Sequence, residues 1–323
     1  MPRLIDPGRG GAIGLNDLIE ALETTPFDVR DEDSFAGLGP LLARLGRNRD
    51  FLADLAIAEL KTRCEAQSAS SGYGPQVFLL RPPNGRYVLR ANFWPARDEP
   101  VTRASGTAAF FYDLPHDHNF SFLTYGYFGP GYWSDYYEYD PDLRVGLPGE
   151  HAGLRLIERA RLEPERLMLY RRSRDIHVQL PPEAFSVSLN ILGSDPAQPW
   201  IDQYRFDISS GTFAEALTCT AAEALLTLAA QFGGEGSERA RDFARRHPCD
   251  RMRLTAVTAL AAAAPDPVAA HAIFVTAADS SSGLVAGHAR QRLAAMEALQ
   301  RRSAPERTQP PLGSGGEALA GTA

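Results

Sequence analysis

Lysine is all but missing from this chain. Lys61 is the one lysine among 33 lysine and arginine residues, so nearly every positive charge is a guanidinium, permanently protonated and shaped as a planar fork. Cysteine is scarce as well. Cys64, Cys219 and Cys249 are odd in number, far apart and in no CxxC or zinc-finger spacing, which argues against a disulfide framework and for a reducing compartment. No run approaches the roughly 18 apolar residues of a membrane span. The opening residues, MPRLIDPG, lack the apolar stretch of a secretory signal. Forty acidic residues leave a net charge of −7, so no basic field invites nucleic acid or an anionic membrane. The expectation is a cytoplasmic protein with neither of those partners.

What is present suffices for more than one folded part: 323 residues, 44% of them hydrophobic. Residues 1–72 read as an N-terminal helical segment. Leu15, Leu18, Ile19 and Leu22 recur at helical spacing with Asn16 placed to cap the first turn, and Leu41 to Leu60 continue the pattern. A Ser- and Gly-rich stretch at 67–72 ends it.

Residues 73–210 read as strands. Val77 to Leu80 and Tyr87 to Phe93 flank Asn84-Gly85, a hairpin signal. Ala108 to Tyr112, Phe120 to Phe128 and Tyr132 to Tyr139 are rich in aromatics, and Gly129-Pro130-Gly131 reads as the hairpin between the last two. Short strands follow at 154–159, 166–171, 176–180, 185–192 and 204–208. Such spacing predicts an antiparallel barrel or jelly roll, and with the flanking helices an α+β chain. From Phe213 the period is helical again, in five alanine-rich segments over 211–301. Ala256/Leu260 and Ala289/Leu293 repeat at an offset of 33, which is weakly like a HEAT-type helical repeat and would suit a protein partner. The Pro-, Gly- and Ser-rich tail, 302–323, reads as disordered.

Three of the seven histidines form a pattern. His116-Asp117-His118 in an extended stretch directs both imidazoles to one face, and His177 in a later strand can close a three-nitrogen face around one metal ion. Such a face leaves coordination positions open, as a catalytic site requires. His151, His247, His271 and His288 have no partner pattern and read as loop or helix-surface residues.

Two segments give residues 75–208 a resemblance to the cupins. Leu114-Pro115-His116-Asp117-His118-Asn119-Phe120 is similar to the first cupin motif. Leu162-Glu163-Pro164-Glu165-Arg166 leading to Ile176-His177-Val178 is similar to the second, with Glu165 and Arg166 where Gly and Asp are usual. The usual cupin glutamate is replaced by Phe122 and Leu123. A three-His site without it resembles the thiol dioxygenases such as cysteine dioxygenase, and on that resemblance Arg81 takes the role of the substrate-carboxylate arginine. The likeness is incomplete. Their Ser-His-Tyr relay is here Ser188, Asn190 and Leu192, and their cross-linking cysteine has no counterpart between Phe120 and Leu123.

The resemblance implies a non-haem iron oxygenase: Fe(II), with Zn, Mn or Ni as alternatives, held by His116, His118 and His177. The substrate would be small or peptide- or carrier-borne and amino-acid-like, with O₂ as co-substrate. A symmetric hairpin at Gly129–Gly131 would place Glu138 opposite Phe122, on the histidine face. Tyr136 shares its parity, so Glu138 and Tyr136 are the expected proton carriers. A metal- or ligand-sensing cupin and an O₂-independent isomerase or lyase are the alternatives.

Overall fold

A computed structural model describes residues 2–65 and 74–303. The chain divides into two compact units, Met1–Leu225 and Leu226–Ala323. The first holds helices and strands together, so the helical N-terminal segment shares a unit with the strand region.

In the first unit a short strand β1 (Arg3–Leu4) precedes helices α1 (Leu15–Thr24), α2 (Glu32–Ala36), α3 (Gly39–Gly46) and α4 (Phe51–Lys61). The start of α1 is one residue pair earlier than Asn16 suggests. Gly14 is its N-cap, and the Asp17 carboxylate accepts the Gly14 N–H at 2.8 Å, a reach-back that satisfies an otherwise orphaned donor. Strands β2 (Val77–Arg81) and β3 (Tyr87–Trp94) form the hairpin expected around Asn84-Gly85, with Gly85 at φ 85°. After helix α5 (Pro100–Ser105) the stretch read as a strand at 108–112 is instead a 3-10 turn, Thr107–Phe110, closed by Phe111 and Asp113 at positive φ.

The remaining strands are β4 (Phe122–Phe128), β5 (Trp133–Glu138), β6 (Arg155–Arg161), β7 (Leu167–Tyr170), β8 (Asp175–Gln179), β9 (Ser186–Gly193), β10 (Tyr204–Asp207) and β11 (Thr212–Ala216). They build two antiparallel sheets rather than a closed barrel. One has the order β1-β7-β4-β9-β3-β2. The other is β6-β5-β8, and His116 bridges it to the β10-β11 pair by pairing with both His177 and Arg205.

Gly129-Pro130-Gly131 does not close a hairpin. It carries the chain from β4 in the first sheet to β5 in the second, and β5 pairs with β6 and β8. Gly129 and Gly131 sit at φ 76°, where a side chain is unfavourable. A Cβ on Gly131 would collide with the Leu162 carbonyl.

Alternation then sorts side chains to faces. Leu79, Val88, Phe122, Met168, Tyr170 and Leu192 from the first sheet meet Tyr132, Tyr136, Ala160 and Leu162 from the second, forming the core between them. Phe78, Leu80, Tyr87, Leu89, Leu123 and Leu169 point the other way and are covered by Leu18, Leu22, Leu42 and Leu45 of the N-terminal helices.

The second unit is helical. Helix α6 (Ala221–Phe232) spans the division, followed by α7 (Gly234–Arg246), α8 (Asp250–Ala262), α9 (Pro267–Ala277) and α10 (Gly283–Ser303). Val257, Ala261, Phe274, Val285 and Ala289 form its core. Phe213, read as the start of a helix, lies in β11 opposite Phe206, because its apolar ring completes a cluster with Tyr139, Ile176 and Phe206. The breaker stretch at 67–72 and all of the tail beyond Ser303 lie outside the described residues.

Candidate metal centre

His116 and His177 form a directly opposed pair. The His116 N–H donates to the His177 carbonyl at 3.2 Å, and the His177 N–H donates to the His116 carbonyl at 3.0 Å. Residues so paired in an antiparallel ladder present their side chains to the same face. His118, two positions on, joins that face. The ring centroids are 4.5 Å (116–177), 4.8 Å (116–118) and 5.0 Å (118–177) apart.

The Nε2 atoms converge. Nε2 of His177 lies 3.0 Å from that of His118 and 3.2 Å from that of His116. These three are the one group of His, Cys, Asp or Glu among the described residues able to hold a metal ion. The donor set fits such an ion. The His116 Nδ1–H donates to the Leu114 carbonyl at 2.8 Å, which leaves the Nε2 lone pair facing its neighbours. Two nitrogens about 2.1 Å from one ion lie about 3.0 Å apart at a right angle and about 3.4 Å apart at the tetrahedral angle. The two spacings to His177 match those angles, and the three donor atoms all lie within 4.8 Å of one another.

Burial keeps the rings neutral. It lowers the His116 pKa to about 4, against the opposing effect of the Leu114 hydrogen bond. Burial, then the His116 charge, then Arg90 hold His118 well below its usual range, and burial with the two other rings does the same to His177. Phe120 and Phe122 pack on His118 with centroids at 5.0 and 4.9 Å, and Tyr170 on His177 at 4.9 Å. Nδ1 of His118 and of His177 are buried without a hydrogen-bond partner.

Asp117, between the two histidines, must face the other way. It is fully buried, accepts from the Tyr139 hydroxyl at 2.7 Å and the Tyr204 N–H at 2.6 Å, and so clamps the segment to β10. Burial raises its pKa to about 7 even against those hydrogen bonds.

The other expected site residues divide. Tyr136 lies opposite His177 in the β5–β8 ladder, is fully buried, and its hydroxyl is 3.0 Å from that of Tyr170. Glu138 is outside the group of three that could hold a metal ion and lies two residues beyond Tyr136, opposite Asp175 in the β5–β8 ladder. Its carboxylate is engaged by Arg171 at 2.7 Å and Arg155 at 2.9 Å. Arg81 is on the far side of the first sheet. A register shift pairs it with Leu89, on the helix-covered face, where it donates to Glu23 of α1 at 2.8 Å.

The interior arginine is Arg90. It pairs with Asn190, which pairs with Thr124, which pairs with Met168 of the inter-sheet core. Asn190 and Thr124 belong to a buried polar row: Trp94 Nε1–H donates to Ser188 Oγ at 3.0 Å, Ser188 to Asn190 Oδ1 at 3.3 Å, and Asn190 Nδ2–H to Thr124 Oγ1 at 2.9 Å. The signal for Arg90 lay in parity. It shares a face with Val88, Asn92 and Trp94, whereas Arg81 follows a strand irregularity that parity cannot see.

No family model matches this chain, and no curated protein does. Solved structures do. Among them is the DMSP lyase DddQ from Ruegeria pomeroyi DSS-3, 10% identical, with 61% of this chain and 78% of that one covered and a TM-score of 0.24. At that score the likeness decides neither fold nor function.

Proposed function

We propose that this chain is a metal-dependent enzyme of the cupin type, an Fe(II) oxygenase acting on a small or peptide-borne, amino-acid-like anion. The observation that supports it is the grouping of three neutral imidazole nitrogens, with no carboxylate among them, in a two-sheet sandwich that also holds a buried polar row. Iron held by His116, His118 and His177 would supply Lewis acidity with adjacent positions for substrate and O₂.

The chain's own residues then have separable tasks. Low histidine pKa values leave the lone pairs available at neutral pH without proton loss. Arg90, whose charge acts on His118, takes over from Arg81 the binding of a substrate anion, for which a planar fork is suited. The Asn190–Thr124 pair orients a polar group beside it. Tyr136, hydrogen-bonded to Tyr170, holds or passes a proton at its hydroxyl oxygen.

Elemental analysis of anaerobically purified protein, with O₂ uptake over a panel of amino-acid-like carboxylates and thiols, tests the reading. Iron near one equivalent is expected, with loss of iron and uptake in His177→Ala. Arg90→Gln should raise KM more than it lowers kcat. Tightly held zinc with no O₂ uptake would overturn the oxygenase assignment.

A further inference from the structure

The β7–β8 turn, Arg171-Arg172-Ser173-Arg174, concentrates charge of one sign in a chain of net charge −7. A hollow of about 210 Å³ is lined by Arg171, Arg172 and Arg174 of this turn, by Arg30 from the loop before α2, and by Ser121. The one acidic residue in its lining is Glu32, whose carboxylate is engaged by Arg3 at 3.2 Å.

The arginines are not all neutralised. Asp195 alone serves two of them: Arg30 binds it through Nε at 3.0 Å and Nη2 at 2.9 Å, and Arg172 binds the same carboxylate at 3.1 Å. Arg174 is exposed, with no ion pair among the described residues, and it borders a second hollow of about 610 Å³ lined by Arg155 and Arg172 together with Glu138, Asp140 and Asp142. Arg171 is engaged by Asp175 at 2.5 Å and Glu138 at 2.7 Å, whereas Arg30, Arg172 and Arg174 have the Asp195 carboxylate between them, three guanidiniums to one. The turn itself is held: the Ser173 N–H donates to the His118 carbonyl at 2.8 Å and the Arg172 N–H to Ser121 Oγ at 3.2 Å.

We propose that this hollow is a phosphate-binding site, taking inorganic phosphate or the phosphoryl group of a small ester between Arg30, Arg172 and Arg174. Guanidiniums brought to one hollow from two backbone segments suit a tetrahedral dianion, which accepts hydrogen bonds on every side.

Titration calorimetry of the full chain with inorganic phosphate at low salt tests it. Saturable binding that weakens as chloride is added is expected, since the contacts are exposed charges. Arg174→Gln, which breaks no ion pair, should weaken it about tenfold, the effect of one charge-assisted hydrogen bond. Arg301→Gln, in the other unit, should leave it unchanged. Glycerol 3-phosphate that competes and binds more tightly assigns the site to an ester, and tighter binding of inorganic phosphate assigns it to the free ion. Absence of saturable binding, or binding that Arg174→Gln leaves intact, overturns the proposal.

Discussion

His116 carries three constraints at once: a paired backbone with His177, a second bridge to Arg205, and an Nδ1 fixed by Leu114. The spacing of His116 and His118 made their common face legible, and the second strand's His177 fits because opposed residues share a face. Arg81 and Glu138 were not legible in the same way. One depends on a strand irregularity and the other on which strand lies beside β5, and neither is encoded in local alternation. Neutral burial of the histidines has a pH consequence. Each binds fewer protons folded than unfolded between its lowered pKa, about 4 for His116, and the ordinary value near 6.5. Their contribution to stability is therefore full above about pH 6.5 and lost as pH falls toward 4. Asp117, raised to about 7, opposes this with one group against three. Thermal melting in chelator should show a net fall in Tm from pH 6.5 to 4. Glu165 offers a second residue-scale test. It sits at φ 70°, where a side chain costs about 1 kcal/mol. Glu165→Gly should raise stability by up to about that amount in denaturant unfolding.

Strands were the elements best marked in the sequence, since alternating aromatics and an Asn-Gly turn encode local geometry directly. Their assembly was not. Gly129-Pro130-Gly131 has the composition of a hairpin, but only contacts distant in sequence, with Leu162 and Ser186, show that it crosses between sheets. Helix α3 is another element set by distant contact. Its buried Gly46 lies against the Tyr125 ring of β4, and an added Cβ would collide with that ring. Gly46→Ala should thus cost about 1–3 kcal/mol by overpacking despite the better helix propensity of alanine. Equilibrium urea unfolding measures it, and a gain in stability would mean that α3 is free to shift on the sheet.

For the whole molecule, the division at Leu225/Leu226 predicts two responses to a metal ion. All three histidines lie in the first unit, and an ion that binds only folded protein stabilises what it binds. Calorimetric scans with and without Fe(II) or Co(II) should show the transition of the first unit moving up while that of the helical unit stays in place. A single transition shifting as one would mean that the two units unfold together. The helical unit's existence was legible from its alanine-rich period, but its start was not. Thr212–Ala216 has a composition that serves helix or strand, and the aromatic cluster around Phe206 decides for strand.

The core between the sheets also holds one indole. Trp94 is 3% exposed, with its ring 4.4 Å from Tyr132, while Trp133 and Trp200 are 39% and 46% exposed. Blue-shifted emission from this protein should therefore come from Trp94 alone, a built-in lamp inside the sandwich. Quenching of that band, and not of the red-edge emission, when a paramagnetic ion is added would report occupancy of the centre without any knowledge of the substrate.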